Sequence, residues 1–145
     1  SGKYPWGDSY PPGSKDGNYS GKEAMIGGYK GFSNDLVFAN HSDSAPRTSP
    51  VGIFQGNFYG LQDMGGNVFE WCATWYRASM NETDVLNRFE VLKNDERGGE
   101  FRVLRGGSWN YGTEFYLRSS YRDRVIPRIR LDNRGFRCVL VVSGG

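Results

Sequence analysis

The chain is poor in the residues that build reactive centres. Two cysteines, Cys72 and Cys138, and one histidine, His41, are all it has in 145 residues. Two cysteines make no disulfide framework, and their separation matches no zinc-ligand spacing. Each lies beside apolar or aromatic residues, where cysteine packs as a small hydrophobe, so both read as buried free thiols, a single bridge being the alternative. His41 sits in a Ser-, Asp- and Asn-rich stretch and reads as a solvated surface residue. Long apolar runs are missing too: nothing approaches the roughly 18 to 20 residues of a spanning helix, and no signal peptide opens the chain. Repeats and low-complexity tracts are absent, and no spacing singles out two carboxylates for acid–base work.

What is present favours a folded, loop-rich unit. With 37% hydrophobic and 15% aromatic residues, a net charge of +2 and 21 glycines, the chain can bury one core in which aromatics supply much of the area. Residues 1–145 are therefore expected to form a single α+β domain with small antiparallel sheets. Residues 1–50 carry turn signals such as Pro11-Pro12-Gly13 and Asp16-Gly17 and read as mostly ordered loop, which needs something to tie it down. Strands are expected at Val68–Cys72, Phe101–Arg105 and Gly135–Val142 from alternation or apolar runs. Residues 81–97 read as loop with a short helix.

Four ordered motifs carry a resemblance across nearly the whole chain. They are Tyr4-Pro5-Trp6-Gly7-Asp8, Gly60-Leu61-Gln62-Asp63-Met64-Gly65-Gly66-Asn67-Val68-Phe69-Glu70-Trp71, Arg102-Val103-Leu104-Arg105-Gly106-Gly107-Ser108-Trp109, and Gly135-Phe136-Arg137. Together they closely resemble the carboxy-terminal two thirds of the formylglycine-generating-enzyme, or sulfatase-modifying-factor, family. The resemblance implies an irregular C-type-lectin-like fold. Independently of it, the paired glycines Gly106-Gly107 at a strand end suit positive backbone dihedrals, and Trp109 suits a core cap.

Catalysis is where the chain departs from that family. Its oxidising enzymes have two redox-active, copper-binding cysteines shortly after the Gly-Gly-Ser-aromatic motif. By spacing those positions fall on Tyr111 and Tyr116, neither of which can supply a thiolate. The family's iron-dependent branch needs several histidines, and only His41 is available. A non-enzyme is expected. The resemblance also implies two structural calcium sites: one from the side chains of Asn18 and Asp43 with backbone oxygens of Tyr19 and Ala45, the other from Asp63 and Glu70 with backbone oxygens of Gly66 and Val68. Hard oxygen ligands around glycine turns suit calcium. The plainer reading of the second set has Glu70 salt-bridged and Asp63 capping a turn.

The stretch after Trp109 has no helical or strand period. It resembles the variable region of retroelement-diversified proteins, where a fixed frame (here Arg118-Ser119, Arg122, Pro127, Arg130 and Gly135-Phe136-Arg137) is filled with unrelated residues. That comparison implies ligand-binding positions at Tyr111, Gly112, Phe115, Tyr116, Tyr121, Asp123, Arg124, Val125, Ile126, Ile129, Leu131, Asp132 and Asn133. Tyrosine and arginine are typical of recognition surfaces, although Tyr111, Phe115 and Tyr121 also read as core residues. Seven arginines lie between Arg118 and Arg137, but those on the frame are expected to hold loops by bidentate hydrogen bonds rather than to bind nucleic acid. The partner is expected to be a protein or cell-surface ligand, met at the cell surface or after secretion. The alternatives are a divergent enzyme of the family and a calcium-dependent carbohydrate-binding lectin-like domain.

Overall fold

The computed structural model describes residues 2–26, 37, 38, 40–77 and 100–140. Within them the elements are α1 (Lys22–Ile26), β1 (Phe69–Trp75), β2 (Arg102–Arg105), α2 (Glu114–Leu117), β3 (Asp123–Val125) and β4 (Arg134–Gly135). The strands form one sheet in the order β3-β2-β1-β4. Most of the chain is loop, as the glycine content implies. The expected element within 81–97 lies outside the described residues.

Two expectations about the sheet are corrected. The sheet is mixed rather than antiparallel: β1 pairs antiparallel with β2, but β4 runs parallel to β1, with Phe69 opposite Arg134 and Glu70 opposite Gly135. The last strand is also far shorter than its apolar run, ending at Gly135, and Phe136, Val139 and Leu140 are exposed. An apolar run makes a strand only where a neighbour completes its ladder, and among the described residues none lies beyond Gly135. In β2 the adjacent residues Val103 and Leu104 are both buried, so this central strand is covered on both faces and its simple alternation is lost.

The core is aromatic. Tyr4, Tyr19, Phe38 and Leu117 form a buried cluster against which Trp6 and Tyr111 pack, and Phe54, Phe69 and Trp109 are buried as well. Tyr4 and Trp6 stack face to face, with centroids 4.7 Å apart and planes 4° from parallel. His41 belongs to this interior. It is buried, its ring lies edge-on to Tyr19 and Phe38, and its Nε2 is 3.4 Å from Asp43 Oδ2. The surface reading of His41 is thus overturned by aromatic packing that its polar sequence neighbours do not reveal. Both cysteines are free, but only Cys72 is even half-buried; Cys138 is exposed beyond the end of β4.

Backbone hydrogen bonds tie the loop-rich half to the sheet. Asn67 N–H donates to Asn18 O at 2.8 Å, and Trp109 N–H donates to Asn67 O at 2.9 Å. The Asn67 side chain adds a two-way bond to Ser49, accepting its N–H at 3.0 Å and donating to its carbonyl at 3.2 Å. Gly106 and Gly107 take φ of 91° and 74°, the left-handed turn expected at the end of β2. That turn drops Ser108 and Trp109 into the interior and sends the chain toward Tyr111.

Candidate functional site

The segment leaving this turn builds an aromatic cluster. Tyr111 meets Phe69 of β1 edge to face at 5.1 Å and Tyr116 of α2 at 5.0 Å. Phe115, Tyr116 and Tyr121 meet one another at 5.2 to 5.5 Å, all near perpendicular. Edge-to-face geometry places the positive ring edge on the negative face, so the rings fix one another's orientation. Desolvation, followed by the nearby Asp123 carboxylate, pushes the hydroxyls of Tyr111 and Tyr121 above their ordinary pKa. Both stay neutral at physiological pH.

The positions expected to face a ligand separate into three groups. Phe115 is 56% exposed, and Arg124, Ile129, Leu131 and Asp132 are exposed too. Arg124 lies over Tyr76 and Phe101, and Asp132 is 3.6 Å from Arg47. Tyr111, Tyr116, Tyr121, Asp123, Val125 and Ile126 are half-buried. Gly112 and Asn133 are buried, which corrects their place on a displayed surface. The Gly112 carbonyl accepts from the Tyr10 hydroxyl at 3.2 Å, while Asn133 donates from Nδ2 to Asn110 Oδ1 at 3.0 Å and accepts the Phe69 N–H. Tyr10, Arg47 and Asn110 support this face from outside the expected set, with no local pattern to mark them. The stretch also contains regular structure after all, one turn at α2 and three residues of β3, both too short for a period to show.

The frame arginines behave unevenly. Arg137 grips both oxygens of Glu70 from Nε at 2.7 and 2.8 Å, and its Nη2 donates to the carbonyls of Gln62 at 3.1 Å and Asp63 at 2.7 Å. Arg118 pairs with Glu114 at 3.0 Å, and Arg122 donates to Arg77 O at 3.2 Å. Arg130 is exposed and makes no such bond among the described residues. Glu114 is held down to about 2 by hydrogen bonds from Lys3 and Arg118.

The two calcium ligand sets fare differently. At Asp43, the amides rather than the carbonyls of Tyr19 and Ala45 face the carboxylate, donating at 2.7 and 2.9 Å. Asp43 there acts as a turn acceptor with both carboxylate oxygens bonded, while Asn18 Oδ1 is buried without a hydrogen-bond partner. The second set does converge. Asp63, Gly66, Val68 and Glu70 line one cavity of about 220 Å³, and Asp63 Oδ1 is buried there without a partner while Oδ2 accepts the Gly52 N–H at 2.6 Å. Both plainer readings hold as well: Asp63 fixes a turn and Glu70 is salt-bridged, by Arg137. Among the described residues no three His, Cys, Asp or Glu side chains gather around one point, so any cation in this cavity depends on the carbonyls.

A short mixed sheet, sparse helix and a loop-borne face at the chain's far end define a C-type-lectin-like fold. The model of the sulfatase-modifying factor enzyme 1-like domain matches residues 1–142, and the chain belongs to that family. It is 30% identical over 153 residues to the formylglycine-generating enzyme of Thermomonospora curvata, covering 94% of this chain and 42% of that protein. It is 29% identical over 143 residues to the inactive C-alpha-formylglycine-generating enzyme 2 of Mus musculus, covering 93% and 35%. A 91-residue stretch is 38% identical to the serine/threonine-protein kinase Pkn1 of Chlamydia trachomatis, covering 63% and 14%. The chain thus spans less than half the length of these relatives. Among solved structures, Treponema denticola variable protein 1 superposes with a TM-score of 0.62 at 26% identity, over 94% of this chain and 40% of that one. PvdO from Pseudomonas aeruginosa gives 0.56 at 25%, over 92% and 42%. The family holds both enzymes and an inactive member. No helix among the described residues is long and apolar enough to cross a membrane.

Proposed function

We propose that this chain is a non-enzymatic binding protein that presents a diversified aromatic and arginine-bearing face on its lectin-like scaffold. The observation that carries this reading is the ring contact of Tyr111 with Tyr116 at 5.0 Å. The two positions matched to the reactive cysteines are neighbours in space, and both hold tyrosine. Neither thiol belongs to that cluster: Cys72 lies in β1 and Cys138 beyond β4. Phe115 within the cluster and Arg124 on β3 provide an exposed ring and a cationic donor, the composition of a protein-recognition surface. Likeness to a variable protein supports the same reading. The partner is a protein or cell-surface ligand, met at the cell surface or after secretion.

The source genome provides the test of diversification. A near-identical copy of residues 102–138 with asparagine at the variable positions, beside a reverse transcriptase gene, is expected; its absence overturns that part of the reading. On the protein, Phe115→Ala is expected to cost about 1 kcal/mol, from its edge-to-face contacts with Tyr116 and Tyr121, whereas Tyr111→Ala, packed on Phe69 and the core cluster, costs about 2 kcal/mol or more. Denaturant titration measures both. Equal large losses would make the whole cluster structural core.

We further propose that calcium binds weakly in the cavity at Asp63, Gly66, Val68 and Glu70, where it would supply a structural cross-link. Arg137 competes for the Glu70 carboxylate. In thermal melts, millimolar calcium is expected to raise the melting temperature more in Arg137→Gln than in the parent chain, because the substitution frees Glu70; Asp63→Asn abolishes the effect. Melts unmoved by calcium or chelator in both chains would remove the metal.

A further inference from the structure

A cavity of about 330 Å³ is lined by none of the positions expected to contact a partner, although the frame residues Arg118 and Ser119 line it. It opens between the segment Tyr4–Gly7 and the turn at residues 57–61. One wall is the Trp6 ring, fixed from behind by its stack on Tyr4 and by donation of its indole N–H to Ser9 O at 2.8 Å. The opposite wall is a locked turn. Asn57 Oδ1 accepts the N–H groups of Tyr59 at 2.9 Å and Leu61 at 3.1 Å, and the backbone closes with Asn57 N–H to Leu61 O at 2.9 Å and Gly60 N–H to Asn57 O at 2.8 Å.

This turn holds two aromatic rings in water. Phe58 is 96% exposed and Tyr59 68%, with their rings edge to face at 5.4 Å. Solvating an ordered apolar ring forgoes about 1.5 to 3 kcal/mol of burial free energy, so Phe58 contributes little to this chain's own packing. A ring held rigidly at a cavity mouth loses little entropy when a ligand covers it, which favours binding.

The polar end of the cavity is cationic. Arg105 and Arg118 line it together with Glu70, and Glu70 is already matched by the bidentate grip of Arg137. Arg105 donates from Nη2 to the Ser119 carbonyl at 2.8 Å. Arg118 shares its carboxylate partner: Glu114 also receives Lys3 at 2.6 Å, and Arg118 Nε is buried without a hydrogen-bond partner. Aromatic walls beside two planar guanidinium forks complement a ring that carries a carboxylate, which such forks bind in their own plane. The volume lies at the small end of ligand pockets and suits a single ring on a short chain.

We propose that this cavity binds a small aromatic carboxylate, its ring between Trp6 and the Phe58-Tyr59 turn and its carboxylate against Arg105 and Arg118. None of the expected partner-contacting positions lines the site, which adjoins the variable face through Arg118, so one chain offers an inherited ligand site beside a diversified one.

Three probes differing only in the head group decide it: 3-phenylpropionate, 3-phenylpropionamide and 3-phenylpropylamine, titrated into the chain by calorimetry and amide NMR. The acid is expected to bind with shifts centred on residues 57–61, about tenfold more tightly than the amide, with no binding of the amine. Arg105→Gln removes the preference for acid over amide. Phe58→Ala, at a side chain the fold does not bury, weakens acid and amide alike, and Ile129→Ala, at an exposed side chain outside the cavity lining, weakens neither. Equal affinity for acid and amide, binding untouched by Phe58→Ala, or no acid binding up to 10 mM (roughly the weakest affinity expected of a ligand this small) would each overturn the proposal.

Discussion

Replacing Trp109 with alanine is expected to lower folding stability by about 3 to 5 kcal/mol, a large part of what a chain of this size has to lose. The indole is 1% exposed. It sits where three features meet: the Gly106-Gly107 turn that delivers it, the Asn67 carbonyl that receives its N–H, and the Arg47 guanidinium 5.6 Å from its ring centroid. Alanine keeps the backbone bond and removes the filling, so the loss is a cavity cost, measured as a shift of the denaturation midpoint at unchanged slope. Trp109→Phe is expected to recover part of it. A loss below about 1 kcal/mol would mean that the loop after the turn collapses into the space, and that the scaffold is softer than its hydrogen bonds indicate.

The second large effect is at Gly66. It takes φ of 79°, and a methyl group there would overlap the Asn18 carbonyl oxygen and lie 3.0 Å from the Asn18 nitrogen and carbonyl carbon. These are backbone atoms in a segment already pinned by the Asn67 N–H to Asn18 O bond, so they cannot yield as a side-chain tip would. Gly66→Ala is expected to cost about 3 kcal/mol or more, combining left-handed backbone strain of about 1 to 2 kcal/mol with the clash. Gly60→Ala is the control. It has φ of 74° but nothing within 4 Å, so it carries the dihedral cost alone. Equal losses at the two positions would show that the Asn18 strand of chain moves aside, leaving Gly66 needed only for its dihedral.

Local chemistry that depends on a few adjacent residues was legible in the sequence. The Gly106-Gly107 turn, the buried Trp109 and the neighbouring positions of Tyr111 and Tyr116 follow from one motif and its spacing. A salt bridge at Glu70 was the plain alternative to a metal role, but its partner Arg137, 67 residues further on, was not part of that reading. Features fixed by distant partners were not legible. Nothing around His41 indicates that Tyr19 and Phe38 enclose it. Asn133 looks like a display residue until Asn110 and Phe69 are seen to bond it. The apolar run after Gly135 could become a strand only with a partner beside it, and Phe58 and Tyr59, just before the Gly60–Trp71 motif, carry no signal in the sequence because a turn locked by Asn57 is a three-dimensional fact. At Asp43 the N–H groups of Tyr19 and Ala45 occupy both carboxylate oxygens, an arrangement set by dihedral angles rather than residue types.

The direction of two hydrogen bonds in the segment after Trp109 bears on which side-chain changes it tolerates. At these two positions the segment attaches through carbonyls: Tyr111 O receives Ser20 N–H, and Asn133 O receives Phe69 N–H. Every amino acid, proline included, owns a carbonyl, but not every one owns an amide hydrogen. Those two attachments are made by groups that every residue owns, so a change of side chain there costs packing, as at Tyr111, and leaves the carbonyl bond in place.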